Sequence, residues 1–205
     1  GIPIAPISEE IGPLNTDLAY EIQNINTQIR INGGARVVGK KIGLTSFEVQ
    51  KQIGVDQPDY GVLFHDREIL NGQSVSYGDL LQPKAEVEIA FVLDKTLDKP
   101  DMTVVDIIRA IDFALPAIEI AGSRIADWNI KLSDTIADNA SASHYILGST
   151  PVDLKGFDNV NCGMQLFRNG TLASEGKGSA CLGSPLNAVM WLANRMIEIG
   201  NPLRK

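Results

Sequence analysis

Two acidic residues separated by one position stand in the apolar run Glu86-Val87-Glu88-Ile89-Ala90-Phe91. Side chains alternate faces along a β-strand, so Glu86 and Glu88 are predicted to share one face, with Val87 on the packed face. Two carboxylates this close repel each other, and burying them unpaired costs free energy. A divalent cation would relieve both costs, because hard cations prefer carboxylate oxygens. A solvated acidic face is the alternative that the spacing alone leaves open.

A third acid, Glu119, is embedded in a second apolar run, Pro116-Ala117-Ile118-Glu119-Ile120-Ala121. Glutamate is seldom buried without a partner. Three carboxylates on apolar strands therefore predict an oxygen-rich site for Mg²⁺, Mn²⁺ or Ca²⁺ rather than for zinc. The two histidines, His65 and His144, do not stand at ligand spacing with a cysteine, which argues against zinc. Nothing around either histidine indicates a catalytic role.

Two further segments could bind an anion or move a proton: Lys40-Lys41-Ile42-Gly43-Leu44-Thr45 and Asp56-Gln57-Pro58-Asp59-Tyr60-Gly61. A lysine at an apolar, glycine-flanked strand end can anchor an anion or act as an acid or base. The second segment has the composition of a turn. Composition alone leaves a surface lysine and turn-capping aspartates as alternatives. The chain contains neither a GxxxxGK[ST] phosphate loop nor a GxSxG nucleophile elbow.

The bulk composition limits the classes of function. The chain has 205 residues and a net charge of −7, which disfavours nucleic acid as a partner because phosphate backbones are repelled. The same charge makes a small anionic substrate require a local cation. No stretch is long and apolar enough to span a bilayer, and no signal peptide precedes the fold, so a cytoplasmic location without membrane contact is expected. The two cysteines, Cys162 and Cys181, form no CxxC pattern and are expected to be ordinary thiols.

Periodicity, caps and turn residues predict the elements that position these side chains. Helices are predicted at 15–32, 46–53, 103–114 and 184–200, and strands at 62–64, 69–70, 75–76, 86–94, 117–121, 144–147, 164–168 and 171–174. The stretch 122–139 is expected to be a long loop with one helical turn, and such loops are often functional. Because helices and strands do not alternate regularly, we predict a mixed α+β fold with a rolled or barrel-like sheet and peripheral helices.

Six segments together carry a resemblance to a known family over nearly the whole chain. They are Lys40-Lys41-Ile42-Gly43-Leu44-Thr45, Val55-Asp56-Gln57-Pro58-Asp59-Tyr60-Gly61, Lys84-Ala85-Glu86-Val87-Glu88-Ile89-Ala90, Pro116-Ala117-Ile118-Glu119, Ala137-Asp138-Asn139-Ala140-Ser141 and Gly183-Ser184-Pro185-Leu186-Asn187. In this order and spacing they resemble the 2-keto-4-pentenoate hydratases (2-hydroxypenta-2,4-dienoate hydratases) of bacterial aromatic meta-cleavage pathways. These enzymes belong to the fumarylacetoacetate-hydrolase superfamily, whose fold is a mixed sheet roll with peripheral helices.

The resemblance implies specific residue roles. Glu86, Glu88 and Glu119 match the family's metal-binding carboxylates, with Mg²⁺ or Mn²⁺ as the ion. Lys41 and Asp59 match catalytic residues at the substrate, and Ser141 matches a pocket-lining, substrate-binding position. A homo-oligomer is implied, as is association with other enzymes of the meta-cleavage pathway. An N-terminal helical region, 1–55, would precede a catalytic β-roll domain, 56–205, that lacks the C-terminal strands with which relatives continue.

The implied reaction is metal-dependent addition of water to 2-hydroxypenta-2,4-dienoate, giving 4-hydroxy-2-oxopentanoate. The metal would chelate the 2-oxygen and one carboxylate oxygen of this small 2-oxo or 2-hydroxy-dienoic acid, while Lys41 and Asp59 would transfer protons or anchor the carboxylate. The 4-oxalocrotonate decarboxylases share the acidic residues and the Ala-Asp-Asn-Ala-Ser segment, so decarboxylation is a second hypothesis. A non-catalytic partner subunit, which need not bind a metal, is a third.

Overall fold

The computed structural model describes all 205 residues and contains six α-helices and seven β-strands. The helices are α1 (Ser8–Ile11), α2 (Thr16–Asn32), α3 (Phe47–Ile53), α4 (Val104–Ala110), α5 (Leu132–Ala137) and α6 (Pro185–Glu198). The strands are β1 (Val37–Gly43), β2 (Asp59–Phe64), β3 (Pro83–Leu93), β4 (Ile111–Gly122), β5 (Ala142–Leu147), β6 (Gly163–Arg168) and β7 (Thr171–Lys177). None of the helices combines the length and the apolarity needed to cross a membrane.

The strands form three small sheets. Strands β1 and β2 pair antiparallel, β3, β4 and β5 form a three-stranded sheet in that order, and β6 pairs antiparallel with β7. The predicted α+β class is confirmed, but the sheets remain separate instead of closing into a barrel. The two long strands β3 and β4 carry the three acidic residues that the sequence singled out.

The chain divides into two compact units, each with its own apolar cluster. The first unit comprises residues 1–44, 50–86 and 118–146, and its cluster centres on Ala19 of α2 and on Leu132 and Ile136 of α5. The second comprises residues 45–49, 87–117 and 147–205, and its larger cluster joins residues of α4 and α6. Apolar burial of this kind supplies the main favourable term in folding.

Local capping and turn chemistry explain several confirmed elements. The Asn15 side chain accepts a hydrogen bond from the Leu18 amide at the start of α2, and Ser184 caps α6 ahead of Pro185. The β6–β7 hairpin turns through Asn169 and Gly170, which both have positive φ angles, as a type I′ turn requires. These signals reside in a few adjacent residues, so they could be recognised without knowledge of the fold.

The predicted helix 103–114 is partly wrong. Thr103 does begin α4 with a capping box, but the helix ends at Ala110 and strand β4 begins at once. Ala114 and Val152 exchange backbone hydrogen bonds of 2.9 Å in both directions, so strand pairing overrides the helical preference there. Pro116 lies inside β4 rather than ending a helix. The predicted strands at 69–70 and 75–76 are also absent, and only an isolated bridge pairs Glu68 with Tyr145 nearby.

The apolar positions of α2 follow the predicted helical period but are not all buried. Ile25 and Ile29 are 58% and 63% exposed, whereas Gln23 is buried. The Gln23 amide donates hydrogen bonds to the carbonyl oxygens of Tyr60 (2.9 Å) and Ile136 (2.8 Å), which accounts for its burial. This amide ties α2 to both β2 and α5, the two elements that carry site residues.

Candidate active site

Strands β1 and β2 place Lys41 and Asp59 on one face. In the antiparallel register Lys41 lies opposite Gly61, and Gly43 lies opposite Asp59. Residues directly opposite in such a pair share a face, as do residues two apart on one strand. Each charged side chain therefore faces a glycine, which leaves room for it. Lys40 points the other way, with its ammonium 5.4 Å from the centre of the Tyr60 ring.

Asp59 is a buried carboxyl group with only one of its oxygens bonded. It is 1% exposed, and its Oδ2 accepts a hydrogen bond of 3.3 Å from the Thr135 hydroxyl of α5. Its Oδ1 is buried and has no hydrogen-bond partner. Burial raises the pKa of Asp59, although the positive charge of Lys41 opposes the change. Asp59 can therefore hold a proton at a higher pH than an exposed aspartate.

Lys41 connects this carboxyl group to the acidic residues of the long strands. Its Nζ donates a hydrogen bond of 2.9 Å to the Ala140 carbonyl and lies 3.3 Å from Glu119 Oε1. Glu119 is 5% exposed, and burial raises its pKa while the charge of Lys41 opposes the shift. A cation beside a buried carboxylate is the expected way to limit the cost of burying both.

The structure brings the three predicted carboxylates together. One oxygen from each of Glu86, Glu88 and Glu119 lies within 4.8 Å of the other two. Glu86 is exposed and Glu88 half-buried, while Glu119 Oε1 is buried and has the Lys41 ammonium 3.3 Å away. Three acidic oxygens at this separation repel one another, and their chemistry suits a hard divalent cation. The donor set thus fits Mg²⁺ or Mn²⁺ and contains neither the histidine nor the thiolate typical of zinc.

Ser141 belongs to a buried turn that the backbone holds in an unusual conformation. Asn139, Ala140 and Ser141 have φ angles of 58°, 51° and 55°, a left-handed region that costs free energy for residues other than glycine. The Ser141 hydroxyl lies 3.4 Å from that of Thr135, which in turn bonds Asp59. Strain of this kind persists where surrounding contacts fix it, and it concentrates at functional sites.

Strand β2 supplies those contacts. The Asn139 side chain accepts a hydrogen bond from the Val62 amide (2.7 Å) and donates one to the Val62 carbonyl (2.9 Å). A Cβ atom on Gly61 would lie less than 3.0 Å from the Asn139 carbonyl oxygen, so only glycine fits there. This close contact holds the turn so that the Ala140 carbonyl meets Lys41.

Several residues of this site were not predicted from the sequence. Thr135 lies in α5, within the stretch expected to be mostly loop. Gly43 and Gly61 act by leaving room for a close neighbour, and Asn139 acts through its side-chain bonds to Val62. The spacing of Lys41 to Gly43 and of Asp59 to Gly61, two residues in each case, could have indicated a shared face. The histidines lie outside the carboxylate cluster, since His65 accepts from the Arg36 amide and His144 contacts Ser143 and Arg67.

We expect Gly43→Ala to lower kcat/KM by roughly 100-fold, because a small misplacement of a reacting group can have that effect. The new Cβ would lie less than 3.0 Å from Asp59 Oδ1 and would force that side chain to turn away. Overpacking should also reduce the free energy of unfolding by about 1–3 kcal/mol. Steady-state kinetics and thermal unfolding measure the two effects.

Gly39→Ala is the matched control on the same strand, since its Cβ would meet Leu63 at an ordinary 3.7 Å. Its unfolding free energy should stay within about 1 kcal/mol of the parent, and its activity should be unchanged. Equal losses of activity in the two variants would show that Gly43 does not act through Asp59.

Comparison with known proteins places this chain in a family. No family model matches the chain. The 2-keto-4-pentenoate hydratase of Paraburkholderia xenovorans LB400 is 53% identical over 204 residues, which cover 100% of this chain and 76% of the relative. Among solved structures, the 4-oxalocrotonate decarboxylase of Pseudomonas putida G7, complexed with magnesium and adipate, matches with a TM-score of 0.95 and 32% identity. That match covers 99% of this chain and 77% of the decarboxylase.

A more distant structure defines the class of fold. A fumarylacetoacetate hydrolase family protein from Yersinia pestis CO92 is only 13% identical, but it matches with a TM-score of 0.57 over 82% of this chain and 77% of its own. The protein therefore has the fumarylacetoacetate-hydrolase fold, with a carboxylate cluster on its long strands. Within that fold, the chain belongs to the 2-keto-4-pentenoate hydratase family. This family is the one that the six sequence segments resemble.

Proposed function

We propose that this chain adds water to 2-hydroxypenta-2,4-dienoate and forms 4-hydroxy-2-oxopentanoate. One observation carries the proposal: the Glu86, Glu88 and Glu119 carboxylates converge beside a Lys41–Glu119 ion pair. Such a cluster suits a substrate that is itself an oxygen-rich anion, provided that a cation lies between them. The 53% identity to a 2-keto-4-pentenoate hydratase supports the choice of this substrate.

The three glutamates are the residues that would hold Mg²⁺ or Mn²⁺. The 4-oxalocrotonate decarboxylase, 32% identical, was solved with magnesium and the dicarboxylate adipate, which supports a metal and an organic acid in this fold. When bound, the cation would supply Lewis acidity that neutralises the substrate carboxylate and polarises the 2-oxygen. Glu119 is the most buried of the three and also contacts Lys41, so it links the metal ligands to the residue proposed to anchor the substrate carboxylate.

Asp59 is the proposed proton-transfer group. Its Oδ1 is buried without a hydrogen-bond partner, so one oxygen remains available to a substrate proton. The first step removes the proton of the 2-hydroxyl group and delivers a proton to carbon 5, which gives the conjugated 2-keto acid. In the second step the oxygen of water bonds to carbon 4 and a proton is added at carbon 3. Thr135 holds Oδ2, which keeps the carboxyl group in one orientation for both transfers.

Lys41 is the proposed anchor for the substrate carboxylate. Its ammonium is fixed by the Ala140 carbonyl and by Glu119, and its side chain is 14% exposed. A compact, oriented positive charge stabilises the negative charge that shifts between the carboxylate and the 2-oxygen during the reaction. Ser141 is proposed to line the substrate pocket, because its hydroxyl lies next to the Thr135 hydroxyl that bonds Asp59.

Decarboxylation of 4-oxalocrotonate is the second candidate, and the TM-score of 0.95 to such an enzyme favours it. Hydration is preferred because identity to the hydratase is 53%, against 32% to the decarboxylase. We expect purified protein to consume 2-hydroxypenta-2,4-dienoate in the presence of Mg²⁺ or Mn²⁺, and to lose this activity in EDTA. Loss of dienol absorbance and product chromatography measure hydration, while CO₂ release measures the alternative. Release of CO₂ from 4-oxalocrotonate without hydration of the dienoate would reverse the assignment.

A homo-oligomer is proposed for the functional protein, and other enzymes of the meta-cleavage pathway are proposed as partners. The exposed Ile25 and Ile29 stand four positions apart on one face of α2, and we propose that they belong to an apolar patch covered by a second copy, since contiguous apolar patches mark protein–protein contacts. Light scattering of the purified chain gives the number of copies.

A further inference from the structure

A cleft separate from the carboxylate cluster lies entirely within the first compact unit. Its volume is about 290 Å³. Three arginines line it: Arg30 of α2, Arg67 after β2, and Arg124 after β4. None of the six proposed site residues lines this cleft. Three guanidinium groups around one cavity are unexpected in a chain whose net charge is −7.

Acidic residues balance only two of the three charges. Arg30 forms two hydrogen bonds of 2.8 Å with the Asp66 carboxylate, and Arg124 pairs with Asp138. Arg67 takes part in no ion pair, and its only hydrogen-bond contact is His144 Nε2 at 3.3 Å. Asp66 therefore offsets part of the positive charge of Arg67 but forms no ion pair with it, because its carboxylate is paired with Arg30.

His144 does not offset the positive charge of Arg67. Burial lowers the pKa of His144, and the positive charge of Arg67 lowers it further, so the imidazole accepts from the guanidinium as a neutral ring. Burial also lowers the pKa of Arg67, and the charge of Arg30 adds to that effect. The cleft thus concentrates positive potential on a half-buried guanidinium, which an anion in the cleft would stabilise.

The chemistry of the lining selects the kind of anion. A guanidinium presents its donors in a planar fork that matches carboxylate and phosphate oxygens. Thr27 and Ser143 add hydroxyl groups to the lining, and Asn26 adds an amide. A space of about 290 Å³ accommodates a phosphate or a short carboxylic acid but not a folded partner or a long polyanion.

We propose that the cleft lined by Arg30, Arg67 and Arg124 binds a small oxyanion, a phosphate or a short carboxylate, at a site distinct from the carboxylate cluster. Arg67 is the principal contact, because Arg30 and Arg124 already have carboxylate partners. Binding of an oxyanion in this cleft does not require the proposed hydration reaction. It can therefore be measured as a rise in Tm and needs no assay of turnover.

Thermal unfolding in inorganic phosphate, in succinate, and in chloride at matched ionic strength tests the proposal. We expect the Tm of the unaltered chain to rise by about 3–5 °C when the bound oxyanion is at roughly ten times its Kd, with no rise in chloride. The phosphate and succinate arms distinguish the two sources of the oxyanion. Arg67→Met should remove the rise, and Arg67→Lys should retain only part of it, because lysine keeps the charge but loses the fork.

Arg109→Met is the matched control, since Arg109 is exposed on α4 and does not line the cleft. It should leave the rise in Tm unchanged. The measurement is made with and without Mg²⁺, because an anion bound through a metal at the glutamates would depend on that ion. A rise in Tm that survives Arg67→Met, or that requires Mg²⁺, would overturn the proposal, as would the absence of any rise in both oxyanions.

Discussion

Replacement of Glu119 by glutamine is expected to lower kcat/KM by roughly three orders of magnitude, equivalent to about 4 kcal/mol of transition-state stabilisation. Glutamine keeps the size of the side chain but removes the most buried of the three converging carboxylates. The same change should abolish stabilisation by metal. For the unaltered chain, Mg²⁺ at roughly 100 times its Kd should add about 2.7 kcal/mol, which raises Tm by about 5–10 °C.

Glu21→Gln provides the matched control for this prediction. Glu21 is exposed on α2, so its replacement should change neither the activity nor the response of Tm to Mg²⁺. Metal-free Glu119→Gln protein should unfold cooperatively, which separates loss of a ligand from loss of the fold. A Glu119→Gln variant that keeps both its hydration rate and its metal-dependent rise in Tm would show that Glu119 is not a ligand.

The carboxylate cluster could be predicted because its signal is local. Alternation along β3 places Glu86 and Glu88 on the same face whatever the rest of the chain does. Glu119 was recognisable as an acid inside an apolar run, and it proved to be 5% exposed. The convergence of all three oxygens depends on β3 and β4 being neighbours in the sheet, and the order of the strands cannot be derived from the spacing of the residues.

The turn at Asn139–Ser141 could not be predicted from local preferences. Alanine and serine have no tendency to adopt left-handed angles, so three such residues in succession require forces from outside the segment. Those forces come from Val62 and Gly61 on β2, about 77 positions away in the chain. The sequence therefore identified Ser141 as a candidate, through family resemblance, but it gave no reason for the orientation of the Ala140 carbonyl.

The burial pattern of α2 has a similar cause. Helical period correctly predicted the element, and the apolar residues Ile25 and Ile29 fall at helical spacing within it. In the structure the amide of Gln23 is buried instead, because two backbone carbonyls on distant segments need a donor. Periodicity reports which residues share a face, while tertiary hydrogen bonds decide which face is covered.

Replacement of Asp59 by asparagine is expected to lower the activity of the protein while it raises the free energy of unfolding. Activity should fall by roughly 10²–10⁴-fold, because asparagine cannot transfer the proton. Stability of the metal-free chain should nevertheless rise by about 1–2 kcal/mol at neutral pH, since the uncharged amide avoids the cost of burying an ionised carboxyl group. Tm would then increase by about 2–8 °C for a chain of this length.

The pH dependence of that gain follows from the direction of the pKa change. Burial raises the pKa of Asp59 above its ordinary value of 3.8, so the unfolded chain releases this proton at lower pH than the folded chain does. Below pH 3.8 the carboxyl group is protonated in both states and costs no stability. As the pH rises above 3.8 the cost grows, and it stops growing once the pH exceeds the pKa of Asp59 in the folded state. Unfolding measured in EDTA should show the variant's advantage increasing from acidic to neutral pH.

Asp56→Asn makes the same substitution three residues earlier, at an exposed position. It should leave activity unchanged and alter the free energy of unfolding by less than about 0.5 kcal/mol. The contrary result is that Asp59→Asn lowers the free energy of unfolding at neutral pH, or that its gain in stability does not grow with pH. Attraction to Lys41 would then affect the pKa of Asp59 more than burial does, and Asp59 would be ionised before substrate binds. In that case Asp59 would begin the reaction as a base, and the proton that it takes from the 2-hydroxyl group would be the one delivered to carbon 5.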